Sequence, residues 1–304
     1  MINKYVIIVL FTSLLWGGNF VVSKILVSYT DPVTLTTLRW IVAMVVLLPI
    51  VLWKEKKFLP HKKSIIPLII MGITGVIFVN IFQFIALEHT STTNVGLIST
   101  LNTISIAFFA FIFLREKINH YQMGAIMISL IGVIFVISQG DLKFLLTLNF
   151  NIGDLWMMGA VLSWGMYSAC SKWAMRHTSS LLCTFYSGVI GLALLLPFSA
   201  SSLSVSTIDT SFVFALLYTG IISTIVCMLL WNIGIQNLGA SRAGVFLNFN
   251  PVFTSILAFI FLDEKLTWMQ FVGGLIVICG CYLFSYFQKH KFPILFRRVR
   301  VRKV

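Results

Sequence analysis

Trp16 and Asn19 stand three residues apart, and Trp164 and Tyr167 repeat the spacing. On a helix such a pair shares one face. Asn80 and Gln83 are spaced alike, Trp231 adjoins Asn232, and Asn248 and Asn250 flank Phe249 just before Pro251. Asn102 sits in another long apolar stretch. Indole and phenol rings supply apolar walls, and carboxamides both donate and accept hydrogen bonds. The set holds no nucleophile beside a base, no paired acids and no metal-ligand spacing, so its chemistry is binding rather than bond-breaking. A cavity built from it suits a neutral or zwitterionic small molecule, since phosphates would call for several buried Lys or Arg. The alternative is that these amides join helices to one another without any ligand. No cofactor and no metal are implied.

Membrane helices must position these residues. Hydrophobic residues make up 59% of the chain and charged ones 10%, with a mean hydropathy of +0.98. A soluble domain carries about 25% charged residues. Ten apolar runs are long enough to span a bilayer: 5–28, 33–53, 65–87, 93–114, 121–138, 155–175, 181–198, 212–236, 243–262 and 268–287. They lack the alternation of a barrel, and open strands cannot satisfy their backbone in lipid. The expected fold class is an all-α polytopic membrane protein with ten transmembrane helices. The first run carries Trp16, Asn19 and Lys24 and reads as a retained span, not a cleaved leader. The five cysteines lie within the runs and read as packing residues.

The chain also repeats itself. AFIFLREK at 110–117 returns as AFIFLDEK at 258–265, and a shift of 148 lays Trp16-Gly17 on Trp164-Gly165 and Asn102 on Asn250. Across 16–138 the shift gives 26 identities without a gap. Composition alone would give roughly a tenth of positions or fewer. The domains are read as a first repeat at 1–139 (five helices), a linker at 140–152, a second repeat at 153–288 and a basic tail at 289–304. Five helices is an odd number, so the second copy enters the membrane inverted. Two five-helix inverted-topology repeats are a mark of alternating-access transporters.

The net charge of +13 is a matter of topology rather than nucleic-acid binding. With the N-terminus inside, 18 of the 22 Lys and Arg fall on the inner side, so both termini are expected to be cytoplasmic. The basic tail is expected to lie on anionic headgroups. Lys24 and Lys172, equivalent under the shift, read as snorkelling anchors or as gate contacts. Arg39 is deeper. It is expected to pair with Asp31 or Glu88, or else to hold a substrate carboxylate. Glu116-Lys117 and Glu264-Lys265 read as helix-end ion pairs, or as an inner and an outer latch.

Leu15 to Lys24 (LWGGNFVVSK), Asp31 to Trp40 (DPVTLTTLRW) and the twice-written FL-x-EK together resemble the EamA-type branch of the drug/metabolite transporter superfamily. The resemblance covers 5–287. It implies ten helices, cytoplasmic termini, a central cavity and transport of small metabolites, often export of amino acids. The chain is accordingly read as a multi-pass protein of a bacterial plasma membrane. Its partners would be a small-molecule substrate and the lipid bilayer, with a homodimer left open and no nucleic acid. Efflux of drugs or other metabolites and a non-transporting membrane scaffold are the alternatives.

Overall fold

The computed structural model describes residues 4–56, 58–90, 92–138, 151–199, 203–261 and 267–289. The expected linker is almost wholly outside these residues, as are Glu264, Lys265 and the tail beyond 289. Among the described residues the fold is all-helical. Eight helical segments are long and apolar enough to cross a membrane. They are α1 (Lys4–Leu26), α2 (Pro32–Lys54), α3 (Lys62–His89), α4 (Asn94–Leu114), α5 (His120–Ser138), α7 (Ser180–Ser199), α8 (Thr210–Leu238) and α10 (Trp268–Gln288). The sixth and ninth expected spans are helical too, as α6 (Ile152–Ala174) and α9 (240–261), but are not among those eight. Asp154 and Lys172 lower the hydropathy of α6.

Local chemistry sets where helices begin. Asp31 accepts from the backbone N–H of Val33 (2.9 Å) and Thr34 (3.0 Å), with Pro32 at the first helical position of α2. Those bonds hold the Asp31 carboxyl below its usual range despite its partial burial. Asn151 and Asp154 form a capping box on α6. The shift of 148 is visible here as well. The Asn119 N–H donates to Gln122 at the start of α5, and the Thr267 N–H donates to Gln270 at the start of α10, both at 2.9 Å.

Several helices are irregular midway. Segment α1 breaks at Gly18, α4 breaks between Ser99 and Asn102, and α9 tightens to a 3₁₀ turn over Phe246–Asn248. Segments α3 and α8 each widen to a π-helix, at Gly72–Phe78 and Tyr218–Val226, and the shift of 148 lays the first within the second. Such turns free backbone carbonyls, which lipid cannot satisfy. Side chains satisfy them. Leu15 accepts from the Tyr218 hydroxyl at 2.6 Å, and Gly17 from the Thr254 hydroxyl at 3.0 Å.

Packing partners also follow the shift. Segment α1 packs on α8 and α9 as α6 packs on α3 and α4, α2 packs on α8 as α7 packs on α3, and α5 packs along α10. The α5–α10 seam is close. A Cβ on Gly132 would lie 2.6 Å from the Val277 nitrogen, and one on Gly280 would lie 2.6 Å from the Ser129 nitrogen. The obstacles are backbone and cannot swing away. We expect Gly132→Val to lower thermal stability in detergent by at least the ~1–3 kcal/mol typical of overpacking. Gly124→Ala, whose Cβ meets nothing within 4 Å, should change stability by no more than about 0.5 kcal/mol.

Candidate functional site

A cavity of about 690 Å³, counting its open mouth, lies where the irregular segments meet. Trp16, Asn19, Asn80, Gln83, Asn102, Trp164 and Asn250 line it, all expected from the sequence. Sequence reasoning missed Phe20, Trp40, Met157, Ser223, Met228 and Leu247 as lining residues. Trp40 adjoins Arg39 in sequence and was the one of these with a readable signal.

The cavity is displaced toward one end of the bundle. Along α6, Met157, Ala160 and Trp164 line it, whereas Tyr167, one turn on, does not. On that side three indoles close together form a floor. Trp16 meets Trp164 edge-on at 5.1 Å, and Trp231 lies 5.7 and 5.8 Å from the two. Trp16 is oriented by its Nε1–H, which donates to the Ser223 carbonyl in the α8 π-helix at 3.0 Å. This floor faces the end where Lys4 begins α1. The cavity reaches toward the other end, where Leu26 closes α1.

Tyr167, Trp231, Asn232 and Asn248, expected to line the cavity, are instead fully buried among helices. Asn232 donates to the Tyr167 hydroxyl (3.1 Å) and the Thr184 hydroxyl (3.0 Å) and accepts from Ser171 at 2.6 Å, joining α8 to α6 and α7. Asn248 donates to Ser129 and accepts from Thr103, each at 3.0 Å. Trp231 donates to Ser168 at 3.3 Å and backs the floor. Asn80 lines the cavity but donates to the carbonyls of Gly75 and Val76, which the α3 π-helix frees. By contrast, the carbonyl oxygens of Asn19, Asn102 and Asn250 are buried and have no donor among the described residues. An unsatisfied buried polar atom costs about 1–3 kcal/mol. Each of these three sits in the first turn of the helical segment that follows a break.

Arg39 also lines the cavity, and the expected pair with Asp31 or Glu88 is not formed. Asp31 is committed to its cap. Arg39 instead donates from Nε to Thr224 (2.6 Å) and from Nη2 to Ser223 (3.1 Å). Both acceptors belong to the α8 π-helix, and Thr224 in turn donates to the Thr219 carbonyl at 2.7 Å.

The Lys4 end is fastened below the floor. Among the described residues, Glu116 pairs with Lys172 (3.0 Å), not with Lys117. It also accepts from the backbone N–H of Ala240 (3.1 Å) and Ser241 (3.0 Å) and from the Ser241 hydroxyl (2.8 Å). The left-handed turn at Arg115 (φ 58°) ends α4 and presents Glu116, while Gly239 (φ 98°) admits the turn that starts α9. Burial opposes the Glu116 charge, but Lys172 and Ser241 outweigh it and hold the carboxyl below its usual range. The fastening thus persists at neutral pH and is lost as pH falls through that lowered value. Lys172 is therefore an ion-pair partner and not a free anchor. Lys24, its equivalent, donates to the Leu87 and Thr90 carbonyls at the C-terminal end of α3.

Comparison with known proteins adds a second line of support. The EamA-like transporter family profile matches residues 3–138 and 151–286. An uncharacterized transporter from Archaeoglobus fulgidus is 28% identical over 286 residues, spanning 93% of this chain and 98% of that protein. The uncharacterized transporter YyaM of Bacillus subtilis is 30% identical over 283 residues, spanning 92% of each. A solved crystal structure, 17% identical, superposes with a TM-score of 0.76 over 95% of this chain and 99% of its own, and so shares the fold.

The two kinds of asparagine should separate in unfolding measurements. Asn232→Ala strips partners from Tyr167, Thr184 and Ser171 and should cost about 1–3 kcal/mol. Asn102→Ala and Asn250→Ala remove amides that hold nothing together and should each cost under about 1 kcal/mol in the same detergent.

Proposed function

Because this chain belongs to the EamA-like transporter family, we propose that it carries small neutral or zwitterionic metabolites out of the cell, with amino acids foremost. Ten spans would form two inverted five-helix repeats, 1–139 and 153–288, in the plasma membrane with cytoplasmic termini. The position of the cavity carries this reading. It lies between helices of both copies, displaced toward the Leu26 end, with the tryptophan floor and the Glu116 fastening on its Lys4 side. With the positive charge inside, the Lys4 end is cytoplasmic, and the floor and the fastening stand on the side from which an exported substrate must enter.

Export then requires a second packing in which the floor opens and Glu116 leaves Lys172 and Ser241. Two copies of one sequence in opposite orientations supply it, since each can adopt the arrangement of the other. Trp16 and Trp164 form both wall and floor, so they would contact substrate in either state. Drug efflux is the second reading, supported by the aromatic wall. The positive charge of Arg39 in that wall disfavours the cationic members of such a class.

Cells overproducing the protein and loaded with a mixed amino-acid and dipeptide pool should release one subset faster than cells without it, read by mass spectrometry of the medium. Trp16→Ala combined with Trp164→Ala should reduce that excess at least about tenfold, the equivalent of ~1.4 kcal/mol, at unchanged membrane abundance. Equal release by all three cell lines would remove amino acids from the reading.

A further inference from the structure

Among the described residues that line the cavity, Arg39 alone carries an ionisable side chain, and it is 93% buried by its 7% exposure. A guanidinium presents five N–H donors in a plane. Two are assigned here, to the neutral hydroxyls of Thr224 and Ser223. No carboxylate is among the described residues of the wall to neutralise the charge. Holding an uncompensated cation at membrane depth costs free energy, which a structural hydrogen bond to two hydroxyls does not require. Next to Arg39, Trp40 lines the same cavity, and its buried Nε1–H has no acceptor among the described residues. Donors therefore lack acceptors on the α2 side of the cavity. Acceptors lack donors at Asn19, Asn102 and Asn250, on α1, α4 and α9.

We infer that Arg39 is the specificity-determining residue of this cavity and binds the carboxylate of an α-amino acid, with the unpartnered amides of Asn19, Asn102 and Asn250 serving the ammonium. The inference rests on the reading of the cavity as the transport site and narrows its substrate class. A carboxylate accepts two parallel N–H bonds from one guanidinium edge, a match that a hydroxyl or an amine cannot make. Thr224 and Ser223 fix the orientation of the other edge. The position equivalent to Arg39 under the shift is Ser187, whose hydroxyl donates to the Thr184 carbonyl of its own helix at 3.0 Å. The charge thus exists on one side of the cavity only and gives a bound zwitterion one direction.

The test uses purified full-length protein in liposomes loaded with matched pairs: leucine with isoamylamine, phenylalanine with phenethylamine, and tryptophan with tryptamine. Efflux of each is read by mass spectrometry. The wild type should favour the acid over its decarboxylated partner in at least one pair. Arg39→Gln should lower that acid-to-amine ratio about tenfold or more. Arg39→Lys, which keeps the charge but loses the planar fork, should fall between. A general folding defect would slow both members of a pair and leave the ratio unchanged. Efflux of acids by the wild type with the ratio retained in Arg39→Gln overturns the role of Arg39 while leaving amino-acid export standing. Efflux of amines in preference to acids by the wild type overturns the substrate class. Movement of no compound in any pair overturns the class together with the reading on which it rests.

Discussion

Lipid supplies no hydrogen bonds, and this constraint decides how each polar group in the chain is used. The regular stretches of helix satisfy their own backbone. The irregular ones, at Gly18, at 99–102, at 246–248 and in the π-helices of α3 and α8, free carbonyls that need donors from elsewhere. Tyr218, Thr254, Trp16, Thr224 and Asn80 provide them. Each bond ties a break in one helix to a side chain of the same or a neighbouring one, so the breaks gather in one region. A cavity forms there because bent helices cannot pack as closely as straight ones. Among the polar groups around it, Asn80 and Trp16 are committed to these repairs, whereas the carbonyl oxygens of Asn19, Asn102 and Asn250 are left over.

The same constraint explains why one lysine position differs from its counterpart. Lys172 meets a carboxylate that α4 presents through the left-handed turn at Arg115, and the pair also covers the N-terminus of α9. Lys24 meets the carbonyl end of α3. Each lysine neutralises whichever helix end the packing brings to it. The fastening at the Lys4 end draws on α4, α6 and α9 and so involves both copies of the duplicated sequence.

Much of this was legible in the sequence, because it depends on periodicity and composition. The apolar runs predict where helices lie, and the shift of 148 anticipates the paired packing of α1 with α8 and of α6 with α3. Seven of the eleven residues chosen as binding candidates do line the cavity. Asn102 and Asn232 show why the others did not follow. Both are amides in apolar helices, and what separates them is a set of hydroxyls, Tyr167, Thr184 and Ser171, delivered by other helices. No local pattern contains that information. The partner of Glu116 was misread for the same reason, since Lys117 is its neighbour in sequence while Lys172 is its neighbour in space. The π-helices left no mark beyond Gly72 and Gly220, and with them went the acceptors that hold Arg39.

The central claim is that one cavity is reached alternately from the two sides. Labelling of Val79→Cys, in the cavity wall on α3, by a membrane-impermeant maleimide tests it most directly, in a Cys279→Ser background and in vesicles of each orientation. The account predicts labelling from the extracellular side and protection from the cytoplasmic side, with cytoplasmic labelling appearing once Glu116→Gln loosens the inner fastening. Labelling from the cytoplasmic side in the parent, or an unchanged pattern in Glu116→Gln, would contradict it.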